Sequence, residues 1–108
     1  MATQESIIEF LFEQVADAGA VRARKMFGEY ALYCDDKVVA LICDDQFFLK
    51  PTEQGRVFLG AVEEAPPYPG SKPFFWIDEG RWDDRAWMCE LVRITAEALP
   101  KPKPKKRK

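Results

Sequence analysis

The sequence predicts an α+β domain: an antiparallel or mixed sheet of about five strands, a three-stranded meander plus two, with an N-terminal helix, a short middle helix and a C-terminal helix. Three observations predict it. Apolar residues recur at helical spacing near both ends of the chain. From Lys25 to Lys50 the period shortens to that of strands, in runs rich in aromatic and β-branched residues. Acidic pairs that suit tight turns divide those runs.

Thr3 is placed to cap the first helix, and Ile7, Ile8, Leu11, Val15 and Ala18 form its stripe before Gly19 stops it. Phe10 and Phe12 widen the stripe and predict packing against more than one neighbour. Strands are then expected over Met26–Cys34, Val38–Cys43 and Gln46–Lys50, turning at Asp35-Asp36 and Asp44-Asp45, because aspartate tolerates the left-handed angles of two-residue hairpins. Two-residue turns set Leu32 opposite Val39, Tyr30 opposite Leu41, and Leu41 opposite Phe48 on one face. Ala31, Ala40, Ile42, Phe47 and Leu49 go to the other. Both faces are then apolar, so something must cover each of them, helices on one and more chain or a second subunit on the other.

Thr52 caps a middle helix through Leu59, with Gly60 as its stop and Gly55 a weakness inside it. Glu63–Lys72, with Pro66, Pro67, Pro69 and Gly70, reads as an edge segment and a turn. Pro73–Asp78 reads as a strand. Asp83 or Asp84 caps a last helix through Leu99, carrying Trp87, Leu91, Ile94 and Ala98 on one face with Met88, Val92 and Leu99 beside them. Residues 1–99 make one domain. Residues 100–108 form a disordered basic tail, since alternating proline and lysine neither continue a helix nor bury anything apolar.

Composition narrows the function. The chain is 47% hydrophobic and 13% aromatic, a globular signature. No apolar run approaches the ~20 residues of a bilayer span, and no secretory pattern opens the sequence, so a cytoplasmic location away from membranes is expected. Cys34, Cys43 and Cys89 are odd in number and widely spaced, which suits reduced, buried thiols; only Cys89, near a helix start, has a route to a lowered pKa. There is no histidine. That removes the commonest general base, the Ser-His and Cys-His nucleophiles and the commonest zinc ligand. The expectation is a protein with no catalytic residues, no metal and no cofactor. The acidic pairs offer oxygen donors, yet adjacent side chains on a tight turn diverge, and hairpin chemistry explains them fully.

Two surfaces suit binding. Residues 101–108 hold 6 of the 16 basic residues, leaving a body of 10 basic and 18 acidic residues, a net of −8. Lys101, Lys103, Lys105, Lys106, Arg107 and Lys108 would attract nucleic-acid phosphates weakly and without reading sequence, whereas the acidic body would repel them. The aromatic cluster of Tyr68, Phe74, Phe75, Trp76 and Trp82 reads first as core and edge packing. With little basic charge beside it, Tyr68, Phe74 and Trp76 suit protein recognition better than base stacking. A second apolar sheet face also suits a homodimer.

The segment from Arg24 through Lys25, Met26, Phe27, Gly28, Glu29, Tyr30, Ala31 and Leu32 to Tyr33, followed by Ala40-Leu41-Ile42, Asp44-Asp45 and Phe48-Leu49-Lys50, resembles the signature of the TfoX N-terminal domain family of competence regulators. The motif positions are Arg24, Met26, Phe27, Gly28, Tyr33, Leu49 and Lys50. Glu29 stands where the family usually has a second glycine, and Asp35-Asp36 where it often has Asp-Gly. The resemblance implies a regulatory module without catalysis. Its partner would be a protein, a transcription factor or an RNA polymerase component.

Overall fold

The structure is a computed structural model and describes residues 4–26 and 29–100. Thr3, Phe27, Gly28 and the basic tail lie outside the described residues. In chain order the elements are α1 (Glu5–Val15), a short 3-10 turn (Ala16–Ala18), β1 (Val21–Met26), β2 (Glu29–Cys34), β3 (Lys37–Cys43), β4 (Gln46–Leu49), α2 (Glu53–Leu59), β5 (Glu63–Ala65), β6 (Phe74–Ile77), a second 3-10 turn (Glu79–Arg81) and α3 (Arg85–Ala98). The six strands form one sheet in the order β1-β2-β3-β4-β6-β5, antiparallel at every pairing. The predicted α+β architecture holds, with six strands in place of about five.

The extra strand is β1. The expected Met26–Cys34 strand begins at Glu29, and Met26 instead ends the preceding strand and pairs with Glu29 across residues 27 and 28. β1 carries Arg22, Arg24 and Lys25, all exposed, so its polar character hid it from a search for apolar alternation.

Both aspartate turns form as expected. Asp35 and Asp36 take φ of 54° and 67°, Asp44 and Asp45 of 53° and 61°, the paired left-handed geometry that matches strand twist in a two-residue hairpin. The register beyond the first turn differs from expectation by one residue. Tyr33 pairs with Val38 but Leu32 pairs with Ala40, leaving Val39 as a bulge on β3. Val39 and Ala40 are therefore both fully buried in the core, and Tyr30 lies opposite Ile42 in place of Leu41. The bulge also turns Leu32 to the same face as Ala40, Ile42, Phe47 and Leu49, the opposite of the sequence expectation for β2. The second hairpin keeps its predicted register, Leu41 opposite Phe48.

The two terminal helices pack together and cover this inner face. Ile8, Leu11, Val15 and Ala18 from the N-terminal end join Met88, Leu91, Val92 and Ala96 of α3 over Leu32, Ile42, Phe47, Leu49, Phe75 and Ile77. Phe12 is partly buried against that core and Phe10 is 38% exposed, and α1 meets more than one neighbour, α3 and β1, as expected. The buried stripe of α3 is rotated from expectation to Met88, Leu91, Val92, Thr95 and Ala96, leaving Trp87, Ile94 and Ala98 half-buried. Thr95 is buried because its hydroxyl donates to the Leu91 carbonyl at 2.9 Å, which satisfies it inside the core.

The caps are as read from sequence where the structure describes them. Thr52 accepts from the Gly55 N–H, and Asp84 from the Trp87 N–H. At α1, the Gln4 N–H finds the Asp45 carboxylate at 2.8 Å, so a hairpin turn caps the helix. Gly55 is a packing requirement and not a defect. A Cβ there would sit 2.9 Å from Thr52 Oγ1, and Phe75 and Thr95 close the space beyond.

Candidate functional site

The register predicts which side chains share the outer face, the one away from the helices. A single row crosses the sheet: Arg24, Ala31, Leu41, Phe48, Trp76 and Glu63, each paired with the next. The row is basic at one end, apolar across its middle and acidic at the other. Ala31, Cys43 and Phe48 are buried yet stand apart from the core that the helices close. Leu41 and Trp76 are half-buried beside them. The apolar strip is thus a property of the outer face itself; the sequence reading placed Leu41 opposite Phe48 on an apolar face and singled out Trp76, and the structure brings the three into one row.

Trp76 is held in place. Its indole N–H donates to Gln46 Oε1 at 2.8 Å, fixing the ring at a polar edge of an apolar strip. Phe74 lies on the same face of β6 and is half-buried. Tyr68 sits in the loop between β5 and β6 and is 55% exposed, the most exposed aromatic among the described residues. The alternation along β6 separates these three from Phe75 and Ile77, which enter the core. Trp82 belongs to the core as well, its ring 6.5 Å from that of Phe47 and its N–H bonded to the Ile77 carbonyl. The predicted aromatic cluster therefore divides into a packing half and an outward half. Beside Trp76 an open cleft is lined by Leu59, Val62, Glu63, Asp78, Arg81 and Trp87. Arg81 stacks on the Trp87 ring at 4.6 Å.

The described motif residues are spread over both faces of the sheet. Leu49 is fully buried in the core. Lys50 is exposed, and its N–H donates to the Val39 carbonyl at the bulge, which pins the irregularity. Tyr33 lies half-buried on the outer face under Arg22, whose guanidinium is 4.7 Å from the ring centroid. Arg24 is exposed on β1, and Met26 ends that strand. Among the described motif residues, Leu49 serves the core, whereas Arg24, Tyr33 and Lys50 keep access to solvent.

Charge is sorted along the sheet. β1 at one edge is basic, and β5 at the other carries Glu63 and Glu64. The two edges differ in their ties. Glu64 pairs with Arg56 at 3.0 Å and Arg22 with Asp36 at 3.3 Å. Among the described residues no three His, Cys, Asp or Glu side chains come together to hold a metal, and no helix is long and apolar enough to cross a membrane.

The sheet separates Cys43 from Cys34 and Cys89. Cys34 lies in the helix-covered core, beside Gly19, where an added Cβ would come within 2.9 Å of the sulfur. Cys43 lies on the outer face, and Cys89 donates its S–H to the Gln14 carbonyl. Burial, then the Asp35 charge, pushes the Cys34 thiol up to about 11, against a partial opposing effect of Lys37. Burial, with Glu29 and Asp44, pushes Cys43 up to about 11. Below their ordinary value of 9.0 both states hold neutral thiols. Between 9.0 and about 11 the unfolded chain loses these protons and the native one keeps them, so stability should fall as pH rises through that window. Melting curves from pH 8 to 11.5 check this. The fall should be shallower in a Cys34→Ala/Cys43→Ala variant, and equal slopes would show that the thiols do not contribute.

With the geometry in place, relatives supply context. Protein Sxy of Escherichia coli (strain K12) is 26% identical over 99 residues, a match covering 84% of this chain and 46% of Sxy. An uncharacterized 12.7 kDa protein in the trpE 5′ region of Spirochaeta aurantia is 44% identical over 108 residues, covering all of this chain and 93% of that protein. The model of the TfoX N-terminal domain matches residues 13–99, from within α1 through the end of α3. Six antiparallel strands, their helix-covered face and the central motif all fall within that match, and the chain belongs to the TfoX N-terminal domain family.

Proposed function

We propose that this chain is a non-catalytic regulatory module, a transcription-related adaptor that works in the cytoplasm by binding a protein partner. The observation that carries this reading is the outer apolar strip. A sheet whose second face is apolar, without a helix over it, has a surface suited to association. Within the row Leu41 and Trp76 remain half open to solvent over the buried Ala31 and Phe48, with Tyr68 and Phe74 extending the patch toward the loop. Trp76 has the character of an anchor, being a large ring oriented by a hydrogen bond. The similarity to Sxy supports a regulatory role, and the competence-related process implied by the family is part of the proposal. The absence of histidine from the sequence leaves few routes to an activated nucleophile.

The basic tail supports a second reading, weak attachment to nucleic acid without base recognition, because six positive charges in eight residues attract phosphates. Capture from bacterial lysate separates the two. The full chain and residues 1–99 serve as parallel baits, each with and without nuclease. The protein-binding reading expects the same partner in all four samples. Loss of capture on tail removal or nuclease treatment would assign the activity to the tail.

A further inference from the structure

We infer that the open edge of β1 is a strand-addition site for an extended acidic segment of a protein partner. The inference rests on the protein-binding reading but uses the edge of the sheet remote from Tyr68 and Trp76.

The edge has a defined hydrogen-bonding pattern. The Asp35 N–H donates to the Ala20 carbonyl at 2.9 Å, which makes these two a hydrogen-bonded pair. Bonded and non-bonded pairs alternate along an antiparallel ladder. Arg22, Arg24 and Met26 therefore bond to β2, whereas Val21, Ala23 and Lys25 turn their N–H and C=O groups to the open side. β1 is the terminal strand, and Arg22, Ala23, Arg24 and Lys25 are all exposed. α1 and the 3-10 turn approach this strand, where Val21 packs against the core, but Ala23 and Lys25 on the same face stay exposed. An arriving strand meets free backbone groups at Ala23 and Lys25 without displacing anything packed on them.

The side chains state what that strand should carry. Arg22 and Arg24 project on the outer face and Lys25 on the inner, with no acidic residue in the strand. Arg22 already has Asp36 and Tyr33, whereas Arg24 and Lys25 make no ion pair among the described residues. A strand with carboxylates at alternate positions would place them opposite Arg22 and Arg24, where cross-strand opposite charges stabilise pairing. A peptide added this way takes its affinity from the backbone and its specificity from the side chains.

Charge also argues against a second copy as the occupant. A two-fold pairing of β1 with itself sets Arg22 against Arg24 of the other copy, and like charges directly opposite are destabilising. The acidic edge strand β5 is only three residues long, and its Glu64 is engaged by Arg56. A nucleic acid would have no use for the alternating amides of the edge.

The test uses the full chain and a fluorescent ten-residue peptide alternating glutamate with threonine, followed by polarisation, with the lysine–threonine peptide and a single-stranded oligonucleotide as controls. The acidic peptide should bind and the basic one should not. Hydrogen exchange at the Ala23 and Lys25 amides should slow at least tenfold on saturation. Ala23→Pro removes one outward N–H at a position where an edge strand tolerates proline, and should weaken binding at least tenfold while the protein still melts cooperatively. Arg24→Glu should weaken it by as much and leaves every backbone group in place. An oligonucleotide that binds as well as the peptide and is indifferent to Ala23→Pro would replace strand addition by simple phosphate attraction. Concentration-dependent dimers that Arg24→Glu alters would assign the edge to a second copy. No peptide binding, with partner capture intact in Arg24→Glu, overturns this site and leaves the protein-binding reading standing. Capture lost from the wild-type body overturns that reading itself.

Discussion

Phe47→Ala is expected to remove about 3–5 kcal/mol of folding stability, a third or more of what a domain of this size usually has. Phe47 is fully buried at the centre of β4, between Ile42 and Ile77 on the neighbouring strands, and its ring meets Trp82 edge-on. The substitution loses the transfer energy of the ring, the aromatic contact, and packing around a cavity closed by helices on one side and backbone on the other. Phe48, the next residue, points the other way and lies outside that core. Phe48→Ala leaves a gap at a face with no helix over it, where neighbours can relax, and should cost about half as much. Urea titration at an unchanged m-value reads both. Equal losses would mean that the outer strip is as much a part of the core as the inner face, and would remove the basis for treating it as a binding surface.

Trp76→Ala should reduce affinity for the captured partner at least ~30-fold, the effect of losing a central aromatic anchor of about 2 kcal/mol. The variant should still melt cooperatively, because Trp76 is half-buried and its indole is satisfied by a single side chain, Gln46. Tyr68→Ala should give a smaller loss with no change in melting, in keeping with its 55% exposure. Phe75→Ala is the control. It lies between Trp76 and Phe74 in sequence but is fully buried in the core, so it should fail by unfolding. Unchanged partner affinity in Trp76→Ala would move the interface off this face.

Most of the architecture was legible because local chemistry and the global fold agree. Asp35-Asp36 and Asp44-Asp45 specify turns from their own backbone preferences, and Thr52, Gly60 and Asp84 bound their helices with standard caps. What could not be read has physical causes. The Val39 bulge has no sequence signature, since valine suits a regular strand equally well, and one unannounced residue turned the whole of β2 over. β1 escaped because half of its residues are basic and Ala23 and Lys25 on its inner face stay exposed. Its Arg22-x-Arg24 alternation was the available signal. Thr95 was missed as core because only the Leu91 carbonyl makes its burial tolerable. On the outer face, Trp76 stood out from composition and Leu41 opposite Phe48 from the hairpin register, whereas the pairing of β4 with β6 that joins them had no local signal.

The packing of α1 against α3 also sets an order of events. The β1–β4 meander is built from adjacent hairpins, so most of its pairings close over short loops and form early. The contacts that complete the core join opposite ends of the chain. Gln14 reaches the Trp82 carbonyl across 68 residues, and Cys89 reaches Gln14 across 75. During synthesis Ile8, Leu11 and Val15 leave the ribosome long before Met88, Leu91 and Val92 exist to cover them. The nascent chain therefore carries a paired but half-roofed sheet until the last helix emerges, and that interval is when the protein most needs protection from aggregation.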